Sequence, residues 1–208
     1  MYKKHIKGFL DMILATIGVV VLFVPMLLVA VAIRLDSKGP VFFIQLRYGK
    51  NRKPFLVYKF RTMRVDAPAN KATNSFNDSD IFITPVGKIL RKLSIDEIPQ
   101  ILNVLKREMS IIGPRPVVLG ERNLIKLREK FNANSIRPGI TGWAQVNGRD
   151  ELNSVQKAEM DGWYVENSSL KTDALCIART IYVVFSGSSN NEGYEHKQIT
   201  NESRSEIA

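Results

Sequence analysis

Two adjacent carboxylates, Asp96 and Glu97, are the strongest candidates for chemistry in this sequence of 208 residues. Arg91 precedes them by about one helical turn, and Arg115 follows in the turn Gly113–Pro116, which two prolines make rigid. Neighbouring carboxylates hold a hard cation such as Mg²⁺, and guanidinium groups bind phosphate oxygens in pairs. One carboxylate could instead attack phosphorus. The pattern therefore indicates a site for a magnesium-bound diphosphate.

The carboxylates must be positioned by a helix, because apolar residues recur at helical spacing behind them. Ser94 and Glu97 match a capping box with Ser94 at the N-cap, while Pro99 offers an alternative start at the first helical position. Either start places both carboxylates near a helix N-terminus, which keeps a carboxylate ionised and attracts phosphate. Capping alone would also explain the pair, but the flanking arginines favour a phosphate site. We expect Gly113–Pro116 to end this helix.

A basic segment, Arg47–Arg64, contains seven basic residues and no acidic residue. Phe55, Val57 and Phe60 predict a strand after a turn at Gly49. Most of these charges would suit a solvated face near anionic lipid, and the stretch as a whole favours a phosphate-bearing partner. Lys59 and Arg61 are its candidates for phosphate binding.

A second segment, Arg137–Arg149, has three glycines, one proline and an arginine at each end. This composition predicts a shaped loop rather than a helix, suited to an anion or a nucleotide. Residues 122–131 and 170–185 are predicted to be amphipathic helices, 65–84 a surface loop, and residues beyond 186 a flexible tail.

An uncharged stretch of 22 residues, Met12–Ile33, predicts a helix in the membrane. At 1.5 Å per residue it reaches roughly 33 Å, and it is too long for the apolar part of a secretory signal peptide. Both flanks are basic, so both ends favour the cytoplasm, and Pro25 lies just past the middle. These features favour a re-entrant helix bent at Pro25, although a plain spanning helix with a proline kink stays open.

Composition limits the remaining functions. Lysine and arginine number 30 against 20 acidic residues, giving a net charge of +10, which suits phosphates, nucleic acid or an anionic membrane. Cys176 is the only cysteine and there are two histidines, which excludes an internal disulfide and disfavours a zinc or His-ligated site. The sequence carries no recognised nucleic-acid motif.

The sequence resembles the bacterial sugar transferases, in particular the small monotopic polyprenyl-phosphate phosphoglycosyltransferases. The resemblance extends from Lys7 to about Phe185, and the short chain is similar to the minimal catalytic form of the family. It rests on the proline-broken apolar helix and on these segments in the family's order: Gly39–Phe43, Tyr58–Met63, Leu90–Pro99, Asn103–Leu105, Gly113–Pro116, Arg137–Gly142 and Ala144–Arg149. One departure is Val24, where many members have serine before the proline, so the sharpness of the bend is left open.

The resemblance implies transfer of a sugar-1-phosphate from a UDP-sugar to undecaprenyl phosphate, with release of UMP, as the first membrane step of glycan assembly. Asp96 would be the nucleophile that forms a covalent phosphosugar intermediate, and Asp96 and Glu97 would hold Mg²⁺. The residues expected to bind phosphate are Lys59, Arg61, Arg91, Arg115, Arg137 and Arg149.

The expected fold is α+β and mostly helical, with amphipathic interfacial helices and a short β element. Residues 1–36 would form the re-entrant helix, 37–186 a catalytic domain facing the cytoplasm from the bacterial inner membrane, and 187–208 a tail. Expected partners are the two substrates and membrane lipids but not nucleic acid, and a homo-oligomer is compatible with the sequence. The alternative is a non-catalytic, membrane-anchored basic module that binds anionic lipid or nucleic acid. The sequence identifies neither the sugar nor the glycan pathway.

Overall fold

The computed structural model describes residues 2–67, 79–148 and 151–186. One long helix, α1, packs along a group of short helices and strands formed by the rest of these residues. The helices are α1 (Lys7–Asp36), α2 (Pro85–Lys92), α3 (Ile101–Leu105), α4 (Arg122–Lys130), α5 (Trp143–Val146), α6 (Ser154–Asn167) and α7 (Leu170–Ser186). The strands are β1 (Phe42–Tyr48), β2 (Pro54–Phe60), β3 (Ser110–Ile112), β4 (Val117–Val118) and β5 (Gly139–Thr141). The predicted α+β class, mostly helical with a small β element, is confirmed.

Helix α1 is long and apolar enough to cross a membrane. Its mean hydropathy reaches 2.8 over 18 residues, and only 6% of that window is buried. Its buried residues, Asp11, Ala15 and Ile33, lie on the side that faces the other elements. The rest of its surface exposes large apolar side chains, which favours contact with lipid. The helix continues through Pro25, and the re-entrant topology stays a prediction.

Two apolar clusters attach α1 to the remaining elements. The first joins Ala15 in the N-terminal half of α1 to β2 and α3, and its buried members are Ala15, Phe55, Val57, Ile101, Val104 and Met109. The second joins Ile33 near the C-terminal end of α1 to Phe60 of β2 and Leu90 of α2. Both halves of α1 therefore share a core with the same group of elements.

Strand β2 connects the site to the core, because it contributes buried residues to both clusters. It pairs antiparallel with β1, and β1 pairs antiparallel with β4. Alternate residues of a strand face the same side, so Lys59 lies on the same face as the buried Phe55 and Val57. The predicted strand after the Gly49 turn is confirmed.

The segment around the carboxylates differs from its prediction. Ser94 has a positive φ of 53° and no capping bond from its side chain, so the predicted capping box is wrong. Pro99 also does not start a helix, because a 3₁₀ helix runs over Ile95–Gln100 before α3 begins. The left-handed conformation at Ser94 interrupts the helical backbone between α2 and this 3₁₀ helix.

The predicted helix also ends earlier than expected. It stops at Leu105, and Arg107 adopts a positive φ of 60°, which an α-helix cannot contain. The chain then forms β3, which pairs in parallel with β5, so the turn Gly113–Pro116 follows a strand rather than a helix. The segment predicted as a loop from 137 to 149 contains β5 and the single turn α5, and is therefore more ordered than predicted.

The other sequence predictions have mixed outcomes. The amphipathic helices at 122–131 and 170–185 are confirmed as α4 and α7. Of the predicted loop at 65–84, residues 79–82 form a 3₁₀ turn and residues 68–78 lie outside the described part. The predicted tail, 187–208, also lies outside it, and so does Arg149.

Candidate active site

Glu97 is the anchor of the candidate site. Its Oε1 atom accepts a hydrogen bond from Lys59 Nζ at 2.7 Å and one from Arg115 Nη2 at 2.9 Å. The Glu97 side chain is only 12% exposed, and that of Lys59 only 17%. Burial alone would raise the pKa of Glu97, but the positive charges of Arg115 and Lys59 outweigh it and hold that pKa well below its usual range. Glu97 is therefore a fixed negative charge.

Asp96 lies beside it in a different environment. Among the described residues, both ion pairs of the dyad are made by Glu97. Burial raises the pKa of Asp96 to about 6, an effect that Lys59 opposes and the negative charge of Glu97 reinforces, while Arg91 and Arg115 lower the pKa. Asp96 is thus ionised at neutral pH, yet poorly stabilised as an anion. A carboxylate in that condition suits a nucleophile better than a structural partner.

Arg91 is positioned by the way α2 packs. Thr84 caps the helix by accepting a bond from Gly87 N at 3.0 Å, and Pro85 occupies the first turn. A side chain at Gly87 would overlap the backbone of Thr62, with a Cβ 2.1 Å from its carbonyl oxygen, so only glycine permits this approach. Arg91 Nε then donates to Thr62 Oγ1 at 2.8 Å, and the guanidinium acts on Asp96 from that position.

The structure thus brings four predicted phosphate- or metal-binding residues to Asp96, namely Lys59, Arg91, Glu97 and Arg115. Arg61 has a different environment. Its guanidinium donates to the carbonyl oxygens of Ser37 and Lys38 and to Ser37 Oγ, at 2.7 to 2.9 Å, just after α1 ends. Gly39, at a φ of 122°, leaves the space that this guanidinium fills.

Arg137 also lies elsewhere, beside the start of α1, where a Cβ on Gly8 would lie 3.7 Å from Arg137 Nη1. The predicted roles of Arg61, Arg137 and Arg149 in phosphate binding stay predictions.

The carboxylates fit a magnesium ion by the chemistry of their donor atoms. Mg²⁺ is usually bound through one or two carboxylates, with substrate phosphates and waters completing its shell. Among the described residues there is no group of three or more His, Cys, Asp or Glu side chains that could form a cage by itself. A dyad next to three cationic side chains therefore suits Mg²⁺ that arrives with a diphosphate, and this binding stays a prediction.

Two charged residues near the site were missed by the sequence reasoning, Arg128 of α4 and Asp161 of α6. They form a buried ion pair, and Arg128 also bonds to the backbone of Arg115. A signal was present, because Arg128 lies three residues after the buried Ile125 and Asp161 three residues after the buried Ala158. A charge on the apolar side of a helix indicates a buried partner.

Comparison with known proteins decides the family. The sequence matches the bacterial sugar transferase family over residues 2–187. The chain belongs to this family. The family predicted from the motifs is confirmed, and with it the prediction of a transferase rather than a non-catalytic module.

Characterised and uncharacterised relatives agree with this placement. An uncharacterised sugar transferase of Bacillus subtilis, EpsL, is 41% identical over 149 residues, which are 72% of each chain. The UDP-N-acetylgalactosamine-undecaprenyl-phosphate N-acetylgalactosaminephosphotransferase of Aeromonas hydrophila is 40% identical over 190 residues, 88% of this chain and 44% of that enzyme. The UDP-glucose:undecaprenyl-phosphate glucose-1-phosphate transferase of Escherichia coli is 39% identical over 195 residues, 88% of this chain and 41% of that enzyme. The chain therefore spans less than half the length of these two enzymes.

Proposed function

We propose that the protein transfers a sugar-1-phosphate from a UDP-sugar to undecaprenyl phosphate and releases UMP. The observation that carries the proposal is the contrast within the dyad. Glu97 is neutralised by Lys59 and Arg115, whereas Asp96 forms no ion pair within the described residues and is destabilised as an anion by burial. The relatives from Aeromonas hydrophila and Escherichia coli, whose names give undecaprenyl phosphate as acceptor, support the substrate class.

In the first step, a carboxylate oxygen of Asp96 attacks the phosphorus that bears the sugar. The bond from this phosphorus to the oxygen bridging it to the α-phosphorus breaks, and UMP leaves with the electron pair. In the second step, a phosphate oxygen of undecaprenyl phosphate attacks the same phosphorus. The Asp96–phosphorus bond breaks, which restores the carboxylate and yields undecaprenyl diphosphate sugar. The two substrates, the UDP-sugar and undecaprenyl phosphate, thus use one site in turn.

The cationic side chains provide the electrostatic part of this mechanism. Arg91 and Arg115 lie where they can bind phosphate oxygens, and Lys59 with Arg115 fixes Glu97. A Mg²⁺ ion held by Asp96 and Glu97 would neutralise charge that develops on the diphosphate. Because the cationic side chains are in place before the substrate arrives, little reorganisation of the protein is needed during the reaction.

We further infer that α1 enters and leaves the membrane at one face, the cytoplasmic face of the inner membrane. Asp11, near its start, accepts hydrogen bonds from Ser110 Oγ at 2.8 Å and from Ile111 N at 3.2 Å. Asp36, at its end, accepts one from Val86 N at 3.4 Å. A helix crossing the bilayer would place these ends on opposite sides, roughly 30 Å or more apart. Contacts of both ends with one polar domain support a single-sided topology instead.

UMP release tests the reaction. Detergent-solubilised protein would be incubated with undecaprenyl phosphate, Mg²⁺ and a panel of UDP-sugars. Release that requires one donor and the lipid phosphate is expected, and a phosphosugar adduct on Asp96 should be trapped when the lipid is omitted. Absence of both release and adduct across a broad panel would refute the proposed reaction.

Labelling of single cysteines tests the topology, with Cys176→Ala as the background. Lys3→Cys reports the start of α1 and Asn51→Cys the β1–β2 turn. Both should react with an impermeant maleimide only after spheroplasts are permeabilised. Reaction of Lys3→Cys alone in intact spheroplasts would show a spanning helix.

A further inference from the structure

The turn that carries Arg115 is held through its carbonyl groups. Pro114 and Pro116 have no N–H, so residues 114–116 offer a single backbone donor, that of Arg115, and cannot be fixed by a regular ladder. Instead, the carbonyl oxygen of Pro114 accepts a bond from Gly139 N at 2.9 Å. That of Arg115 accepts one from Arg128 Nη1 at 2.9 Å, and that of Pro116 accepts one from Arg47 Nη1 at 2.7 Å. Side-chain donors thus fix two of three successive carbonyls.

Arg128 is itself fixed by Asp161. Its Nε and Nη2 atoms both contact Asp161 Oδ2, at 2.7 Å and 2.6 Å. Arg128 is 5% exposed and Asp161 is 1% exposed, so the pair is screened from water. Helix α6 comes this close to α4 because it carries Gly162, where a Cβ would lie 2.4 Å from Phe131 Cβ. The guanidinium therefore has one orientation, with its remaining nitrogen directed at the Arg115 carbonyl.

A contribution to the stability of the fold does not by itself explain why an ion pair is buried here. Desolvation of two charges offsets most of their attraction, and buried ion pairs can often be replaced by apolar residues of similar size without loss of stability. What an apolar pair could not supply is a directed donor to the backbone of Arg115. The guanidinium of that residue bonds Glu97 at 2.9 Å, so a shift of the turn would move the cation away from the dyad.

We propose that Arg128 and Asp161 are positioning residues for phosphoryl transfer, acting by holding the backbone of Arg115 so that its guanidinium faces the carboxylate dyad. This inference rests on the proposed function for its kinetic effect. In this proposal neither Arg128 nor Asp161 contacts the substrate. A displacement of about 1 Å at a reacting centre can lower a rate by about a hundredfold, which sets the scale of the effect.

The test replaces the pair by apolar residues of similar volume, Arg128→Met with Asp161→Leu, in the full-length chain. Thermal unfolding in detergent is expected to stay close to wild type, while kcat for UMP release falls by about tenfold to a hundredfold. Arg128→Lys is the second variant, since lysine keeps the charge but cannot contact both Asp161 and the Arg115 carbonyl in the same geometry. It should show the same loss in kcat.

A double-mutant cycle separates positioning from general damage. In an Arg115→Lys background, the pair variant should cause little further loss, because its effect passes through Arg115. Glu129→Gln is the matched control, because Glu129 follows Arg128 on α4 and its ion pair with Arg52 is exposed. This control should keep wild-type kcat. A full additional loss in the Arg115→Lys background, or an unchanged kcat in both variants, would overturn the proposal.

A measurement that does not depend on turnover separates the positioning proposal from the proposed reaction. In protein with ¹⁵N-labelled arginine, the guanidinium resonance of Arg115 should shift or broaden in the pair variant and stay unchanged in Glu129→Gln. If wild-type protein releases no UMP but this change is seen, the reaction fails and the positioning stands. If UMP is released and the Arg115 resonance is unchanged in the pair variant, the positioning fails alone.

Discussion

Replacement of Asp96 by asparagine should abolish turnover and at the same time stabilise the protein. The catalytic loss follows because an amide cannot attack phosphorus as a carboxylate does. The gain in stability follows because the pKa of Asp96 is raised from 3.8 to about 6, which means that the fold disfavours the ionised form. At pH 7.5 this difference corresponds to a penalty of about 3 kcal/mol that asparagine does not incur.

The size of this effect depends on pH in a way that can be checked. Well below pH 3.8 Asp96 is protonated in both the folded and unfolded states, and its penalty vanishes. As the pH rises toward 6 the unfolded chain ionises first, so stability of the wild type falls, and above 6 the penalty is constant. The advantage of Asp96→Asn should therefore shrink to about 1 kcal/mol at pH 4.5.

The assay is thermal unfolding of metal-free, detergent-solubilised protein, followed by tryptophan fluorescence at both pH values. For a chain of this size, the expected gain at pH 7.5 corresponds to a rise in Tm of about 6–12 °C. Sedimentation with membranes should be unchanged, since the substitution leaves the exposed apolar surface of α1 as it is. A lower Tm, or a gain that does not shrink at pH 4.5, would refute the assigned environment, and full turnover would refute the nucleophile.

Glu97→Gln is the matched control, since it makes the same chemical change one residue away with the opposite expectation. Glu97 is stabilised as an anion by Lys59 and Arg115, so neutralising it leaves two cations without their counter-charge. We expect a loss of about 2 kcal/mol and strongly reduced turnover. If both variants shifted stability in the same direction, the contrast on which the mechanism depends would be absent.

Three further outcomes follow from the same site. Lys59→Met should raise the pKa of Asp96 above 6 in the metal-free protein and lower kcat by about a hundredfold, because Lys59 is the strongest charge that favours the Asp96 anion. The pKa would be read by ¹³C-carboxyl NMR, and an unchanged titration would exclude this role of Lys59. Chelation of Mg²⁺ should abolish UMP release and readdition should restore it, while activity in excess EDTA would exclude the metal. Gly87→Ala should reduce turnover and stability together, as its Cβ would displace Thr62 and with it Arg91. Gly120→Ala, where a Cβ meets no atom of the described residues within 4 Å, should change neither.

The sequence predicted those parts of the site that depend on local pattern or on a long ordered set of motifs. The carboxylate pair, the strand with Lys59 and the amphipathic helices all have short-range signals, and the structure contains the predicted elements. The capping box was wrong because a matching spacing does not determine backbone conformation, and Ser94 is left-handed here. The backbone conformation at Ser94 also depends on how α2 packs against the turn that follows it. A four-residue motif contains no information about that packing.

Long-range contacts account for what was missed. Sequence cannot distinguish an arginine that binds substrate from one that binds backbone, and Arg61 illustrates the point, since its three bonds go to residues 37 and 38. The Arg128–Asp161 pair joins residues 33 positions apart, so no periodicity within one helix could pair them. Only their apolar surroundings distinguished them from surface charges.

Helix α1 and the candidate active site are one structural unit. Ile33 of α1 packs with Phe60 and Leu90, and each of these two residues is the direct neighbour of a site cation, Lys59 or Arg91. Because side chains alternate along a strand and rotate along a helix, burial of Phe60 and Leu90 against α1 fixes the directions in which their neighbours point. The same contact therefore secures α1 to the domain and orients the cations around Asp96. Under the proposed function, this arrangement would place the site where a soluble nucleotide sugar and a lipid phosphate can both reach it, at the surface of the bilayer.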